Sequence, residues 1–454
     1  MLRKDQMVNG EIEAIQPNGL GVFMYKKDKL FMKYVLKGEK VSGKVVKKIR
    51  DGYLAELVQV QKPSSIRTKV KCSYFQKCGS CNYLHMLYPF ELKQKTEAVK
   101  QLANKGKINI NVHNCEGLEE PYAYRNKLAL TFTKNRKNDV IAGFYEPLSH
   151  KVVNIDKCLL HDDATNTLIK DIKEVVKKCR LDIYDENKRT GFLRHVLVRE
   201  NTDKKFMVTF ITAEKEFKGK KKFLQELLNR NEHIEAVVQN INNRNTSVLL
   251  GNQEYVLYGK GYFYDTLCGL TFKISPKSFY QINHEQCEKL YDKALSLLDL
   301  KGDEVIVDTY CGIGTISLLA AQKAKRVMAV EVNKDAIKDA NINRECNHID
   351  NIEFFAQDAG AFMQKLASEK TMVDVVIIDP ARDGCDENFL QALTKLKPKK
   401  IVYISCNPET QVRDLKYLSR QYTYKDMYLF DMFPKTSHVE SVVLMTRDNQ
   451  RRDL

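Results

Sequence analysis

The chain has 454 residues, with 74 Lys+Arg against 58 Asp+Glu and a formal net charge of +16. At about 100–200 residues per domain this length predicts two to four domains, and 43% hydrophobic content excludes a disordered or collagen-like chain. No window holds the roughly 18 apolar residues of a membrane span, and Met1–Gly10 has no signal-peptide core, so a cytoplasmic protein with a polyanionic partner is expected.

Residues 1–70 carry 15 Lys+Arg and 7 Asp+Glu, so half of the surplus charge lies in the first seventh of the chain. Five short β-branched or aromatic-rich runs are predicted there as strands: Val8–Ile15, Gly21–Tyr25, Lys29–Tyr34, Lys40–Ile49 and Tyr53–Val60. Asn18-Gly19 and Asp51-Gly52 supply turns, which together predict a small OB-like barrel over residues 1–62. Such barrels bind single-stranded nucleic acid, with Tyr25, Phe31 and Tyr34 as candidates for base stacking or for core packing.

A middle α+β domain is expected over residues 63–275. Its predicted elements are helices at 90–105 and Lys220–Asn229, and strands at Lys127–Thr133, Phe192–Arg199, Lys205–Thr212, Ile234–Asn240 and Ser247–Leu250. Helix 90–105 could instead pack on the domain that follows. Cys72, Cys78 and Cys81 lie within ten residues, and Cys158, closing an apolar stretch, is the candidate fourth ligand. Four thiolates can hold zinc or an iron–sulfur cluster, and spacing does not decide between them. Cys115, Cys179, Cys268 and Cys346 are read as small buried hydrophobes. Arg125, Arg194, His195 and Arg199 are candidates for phosphate contacts or for local ion pairs.

Over residues 276–454 the pattern becomes a β/α alternation. Apolar runs such as Val375–Ile378 suit strands buried on both faces of a parallel sheet, so a doubly wound, Rossmann-like α/β domain is predicted. Its first strand, Val305–Asp308, runs into Tyr310-Cys311-Gly312-Ile313-Gly314, where the two glycines permit a tight turn at a helix N-terminus. Acidic residues end three successive strands: Asp308, Glu331 and Asp358. One nucleoside gripped without a pyrophosphate site suits S-adenosyl-L-methionine better than NAD. The fourth strand ends at Asp379-Pro380-Ala381-Arg382 and the fifth at Ser405-Cys406-Asn407-Pro408, with Thr436-Ser437-His438-Val439-Glu440 further on. A thiol at a strand end, a base and a ring-holding carboxylate are the parts needed to methylate a pyrimidine at C5. Cys406, Glu440 and Asp379 can fill those roles, with His438 or a nearby cation lowering the thiol's pKa.

Ser275–Asn283, Asp308–Thr315, Ser405–Pro408 and Thr436–Glu440, in that order, resemble the RNA uracil-C5 methyltransferases. Gly191–Arg199 and Gln239–Gly251 extend the resemblance through the middle of the chain. It implies Cys406 as nucleophile, Glu440 as the base that removes the C5 proton, and Gln281 as a contact to the methyl donor. Tyr310, Glu331, Asp358 and Asp379 match further donor-site or substrate-site positions. The family's loop usually reads Asp-Pro-Pro-Arg; Ala381 departs from it and puts the loop's rigidity in question. The branch of the family acting on 23S rRNA carries a [4Fe–4S] cluster on this cysteine arrangement and an N-terminal TRAM barrel. The resemblance therefore implies Cys72, Cys78, Cys81 and Cys158 as cluster ligands, residues 1–62 as that barrel, and a monomeric enzyme acting on 23S rRNA. The same reaction on tRNA, cytosine-C5 methylation, and a catalytically inactive RNA-binding ribosome-assembly protein are the alternatives.

Overall fold

In a computed structural model, residues 1–147, 149–246 and 248–448 are described. The N-terminal region is a six-stranded sheet of the strands Met7–Glu11, Ala14–Ile15, Gly21–Tyr25, Asp28–Met32, Lys40–Ile49 and Gly52–Lys62. The predicted first strand is broken after Glu11, and Ile12 turns into the core beside Val8, Phe23, Leu30 and Val41. Phe31 is buried in this sheet, and Tyr34 meets Phe75 of the cysteine segment edge-on at 4.9 Å. Glu39 is fully buried and accepts from Arg67 Nη2 (2.7 Å), Leu36 N–H (2.8 Å) and Ser64 N–H (3.2 Å). That carboxylate fastens the sheet to the linker leaving it, because a buried charge is tolerated only when paired.

The middle region is a seven-stranded sheet. Its strands Lys127–Lys134, Leu193–Glu200, Phe206–Thr212 and Ile234–Ile241 fall where the alternation predicts them. The strand expected at Ser247–Leu250 is not formed by its described residues, 248–250; the edge strand is Gln253–Tyr258. Helix Asp163–Lys178 covers one face with Leu168, Ile169, Ile172, Val175 and Val176, and Asp162 caps it by accepting from Thr165 N–H at 2.8 Å.

The C-terminal region is an eight-stranded sheet in the spatial order Ile352–Ala356, Arg326–Glu331, Val305–Asp308, Val375–Ile378, Lys400–Ser405, Glu440–Arg447, Tyr422–Phe430 and Asn111–Glu116. The first five strands are parallel, as buried apolar runs demand. Glu440–Arg447 lies antiparallel between its neighbours, with Ser441 opposite Ser405. This register sets the start of one strand against the end of the other. The edge strand Asn111–Glu116 comes from far upstream, pairs in parallel with Tyr422–Phe430, and follows helix Tyr88–Gly106, which packs on helix Pro408–Leu418. Residues 88–116 thus belong structurally to the C-terminal sheet. Among the described residues, no helix is long and apolar enough to cross a membrane.

Candidate functional site

The strand Val305–Asp308 delivers Tyr310 to a glycine turn. Gly312 (φ 55°) and Gly314 (φ 85°) both lie in the left-handed region, where a side chain is disfavoured. A Cβ at Gly314 would sit 2.8 Å from Phe354, whereas one at Gly312 would meet nothing within 4 Å. Gly314 is needed for packing, and Gly312 leaves open space for a ligand. Glu331 accepts from Gly312 N–H (3.3 Å) and Asn333 N–H (2.9 Å), so its carboxylate is fixed at the rim of that space. Asp358 caps the next helix through Ala361 N–H at 2.9 Å and is exposed. The Tyr310 ring packs 5.7 Å from Phe389. Asp308 differs from the other strand-end acids: it is fully buried, bonded to Ser317, and pushed up to about 6 by burial.

Gln281 is buried on a segment held from the middle region. Asn126 donates its side chain to the Gln281 carbonyl at 2.9 Å and its N–H to the Ile282 carbonyl at 3.0 Å, and Arg199 donates to the Ser278 carbonyl.

Cys406, Asp379 and Glu440 come together where Lys400–Ser405 ends and Glu440–Arg447 begins. Burial, then the Glu440 and Asp379 carboxylates, push the Cys406 thiol up to about 11, while Arg382 favours its thiolate. Burial and the Asp379 charge push Glu440 up to about 8; burial and Asp308 push Asp379 up to about 7. A carboxyl near 8 is poised to exchange a proton near neutral pH. His438 is held down to about 4 by burial and Arg382, whose Nη2 is 3.4 Å from its ring nitrogen. The cation beside Cys406 is thus Arg382 rather than His438.

Ala381 does not leave its loop loose. Its carbonyl accepts from Gly384 N–H at 2.9 Å, closing a turn. The Arg382 carbonyl accepts from Asn407 Nδ2 (2.9 Å) and Thr410 Oγ1 (3.2 Å), and Arg413 Nη2 donates to the Asp383 and Cys385 carbonyls at 3.0 and 2.9 Å. The residues just after Cys406 thus hold the loop that carries Arg382.

Cys72, Cys78, Cys81 and Cys158 line one small cavity with Phe75, Leu84, Phe144 and Ile155. The donor set, four thiols and no carboxylate behind an apolar wall, fits a thiolate-bound metal or cluster in kind. Among the described residues, however, no three Cys, His, Asp or Glu side chains converge as a ready metal-binding group. The Arg125 guanidinium opposes the burial that raises the Cys81 and Cys158 thiols.

Of the four candidates of the middle region, Arg194 and Arg199 are buried, and Arg125 and His195 are half-buried. Arg194 is buried, with Glu186 at 2.9 Å and the Asn242 carbonyl at 2.7 Å. Arg199 is buried beneath the Gln281 segment, His195 is bonded to Thr131 and held down to about 4 by burial, and Arg125 faces Tyr124 and the cysteine cavity. Exposed cations lie elsewhere: Lys134, Arg136 and Lys137 line a hollow at the hairpin of strands Lys127–Lys134 and Val140–Tyr145, together with His150 and with Lys151, which is paired with Glu146 at 2.7 Å. A run of Lys and Arg about the Asn135–Asp139 turn was the signal for it in the sequence. Of the four cysteines read as buried, Cys115 is buried and Cys346 is exposed.

Residues 87–448 match the family model described as tRNA (uracil-5-)-methyltransferase. An RNA methyltransferase of Halalkalibacterium halodurans is 38% identical over 454 residues, covering 99% of this chain and 98% of that protein. One of Bacillus cereus is 36% identical over 450 residues, covering 98% of both. The crystal structure of Pyrococcus abyssi tRNA (uracil-54, C5)-methyltransferase in complex with S-adenosyl-L-homocysteine superposes with a TM-score of 0.78 at 25% identity. That likeness covers 97% of this chain and all of the archaeal one. The chain therefore belongs to the tRNA (uracil-5-)-methyltransferase family and is an RNA methyltransferase.

Proposed function

We propose that the protein methylates C5 of a uridine in structured RNA, with S-adenosyl-L-methionine as donor, through a covalent Cys406–uracil adduct. The observation that carries this reading is the meeting of Cys406, Glu440, Asp379 and Arg382 where two adjacent strands end and begin. Uracil C5 is a weak nucleophile. Addition of the Cys406 sulfur to C6 places an electron pair on C5. The bound donor supplies an electrophilic methyl group there. Glu440 then takes the C5 proton, the C5–C6 double bond re-forms, and Cys406 leaves as thiolate assisted by Arg382. Gln281, Tyr310, Gly312, Gly314, Glu331 and Asp358 would form the donor side, with Asp379 between donor and ring. The open space over Gly312 and the S-adenosyl-L-homocysteine in the archaeal relative support that donor. Cys406→Ala should abolish methylation. Glu440→Gln should trap a protein–RNA adduct on a denaturing gel, and its absence removes Glu440 from the base role.

The RNA backbone would follow the basic hollow of Lys134, Arg136 and Lys137 and the basic N-terminal sheet, read as a TRAM barrel. A loop uridine is the favoured target, since extruding it costs least. The four thiols would hold a [4Fe–4S] cluster in a structural role, because the reaction needs no electron; anaerobically purified protein should then carry iron and sulfide. The substrate read from the cysteine and barrel pattern is 23S rRNA. Likeness to an archaeal tRNA enzyme over 97% of the chain, N-terminal sheet included, favours tRNA as a second reading. Mapping 5-methyluridine in total RNA with and without the gene separates the two.

A further inference from the structure

The Glu440 carboxylate makes no hydrogen bond among the described residues. Its position is set by its backbone, and hence by residues 431–439 that enter its strand. Groups from distant parts of the chain hold that loop. The Met432 carbonyl accepts from Asn283 Nδ2 (3.2 Å), the Phe433 carbonyl from Lys95 Nζ (3.3 Å), and the Pro434 carbonyl from the Tyr124 hydroxyl (3.0 Å). Lys435 N–H donates to Glu91 Oε1 at 2.6 Å.

Asn82 holds it at two points. Its N–H donates to the Lys435 carbonyl at 2.8 Å, and its side-chain Oδ1 accepts from Ser437 N–H at 3.2 Å. Thr436 is thereby bracketed, and Glu440 follows three residues after Ser437. Asn82 is also the residue next to Cys81 of the cysteine cavity. The N-terminal sheet closes on the same spot: a Cβ at Gly19 would lie 2.9 Å from the Tyr83 hydroxyl and 3.4 Å from Ser437 Cβ.

We infer that Asn82 is a positioning residue for Glu440, coupling the cysteine-bearing segment to the proton-removal half of the reaction. The inference rests on the roles proposed above for Cys406 and Glu440. A general base must sit within about half an ångström of its working position, and with no hydrogen bond found to this carboxylate among the described residues its main chain does most to put it there. Addition of Cys406 to C6 and methyl transfer do not use Glu440. Loosening the loop should therefore slow resolution of the adduct and leave its formation intact.

The test compares Asn82→Ala, which removes the Oδ1 acceptor, with Asn82→Asp, which keeps one. Asn82→Ala should lower kcat at least tenfold and the RNA KM in proportion, so that kcat/KM and the affinity for S-adenosyl-L-homocysteine stay within twofold of the parent. A covalent protein–RNA band should accumulate during turnover, as with Glu440→Gln, and Asn82→Asp should restore most of kcat and clear the band. If Glu440→Gln traps no adduct, the proposed reaction itself fails. If Glu440→Gln traps one and Asn82→Ala turns over normally, or loses activity with a lowered melting temperature and no adduct, the positioning role is overturned.

Discussion

Lys95 offers a sharp test of how the catalytic loop is held. Its ammonium contacts Asp431 at 2.6 Å and Glu91 at 3.0 Å, and all three side chains are at most 1% exposed. Burial alone would lower its pKa; the two carboxylates outweigh that and keep it protonated. Lys95→Met preserves length and removes the charge, leaving two buried carboxylates. Breaking a buried ion pair in this way costs about 3–5 kcal/mol. The low end applies, because Lys435 stays 3.3 Å from Glu91 and the Tyr88 hydroxyl still donates to Asp431 at 3.0 Å. An unfolding entropy of about 2.1 cal/mol/K per residue gives roughly 1 kcal/mol/K for a chain of this length, so a loss of about 3 kcal/mol lowers Tm by about 3 °C. In the variant the stranded carboxylates bind protons more tightly folded than unfolded. The deficit is therefore fully developed at pH 8 and shrinks as pH falls toward the unfolded carboxylate range near 4. The chain has no tryptophan, so urea unfolding is best followed by circular dichroism at pH 5.5 and 8. A loss under about 1 kcal/mol, or one equal at both pH values, would refute the reasoning.

Adduct resolution should rise with pH through an apparent value near 8, because Glu440 must be ionised to accept the proton; Asp379→Asn, which removes a like charge, should move that limb to lower pH in single-turnover assays. Gly314→Ala should destabilise by about 1–3 kcal/mol, from its left-handed backbone and its clash with Phe354, measured by thermal melting. Gly312→Ala, which meets no protein atom, should weaken S-adenosyl-L-homocysteine binding more than it lowers stability, and calorimetry giving the reverse order would remove the donor from that space. Replacing Lys134, Arg136 and Lys137 together by Gln should leave melting unchanged and reduce the slope of log affinity against log salt by about 2–3, as expected if each meets one phosphate.

The catalytic sheet was legible because its parallel strands, such as Val375–Ile378 and Lys400–Ser405, are continuous apolar runs with few rival readings. Its edge strand was not. Asn111–Glu116 is short and polar, and only its two buried positions, Val112 and Cys115, face the core. Helix Asp163–Lys178 was missed despite Asp162 as cap and apolar residues at 168, 169, 172, 175 and 176, because its polar first turn resembles a loop. The residues proposed to react were recognisable because motif order survives in the chain. Lys95 and Asn82 were not, since a polar residue on a helix or in a loop gives no sign that its partner lies some 340 residues away. Arg194 and Arg199 of the middle region lie buried rather than on the surface, for a related reason: charge can be read from composition, but burial cannot.

The edge strand Asn111–Glu116 has a consequence for how the protein is made. Its partner Tyr422–Phe430 is synthesised some 310 residues later, and Lys95 waits as long for Asp431. During translation the early segment carries an unpaired strand edge and a half-satisfied buried charge until the last strands emerge. Pairings so distant in sequence close late and slowly. A chain stopped before residue 422 leaves Asn111–Glu116 without its neighbour and Lys95 without Asp431, so this edge of the sheet is completed only when residues 422–431 arrive to meet those near 95 and 111.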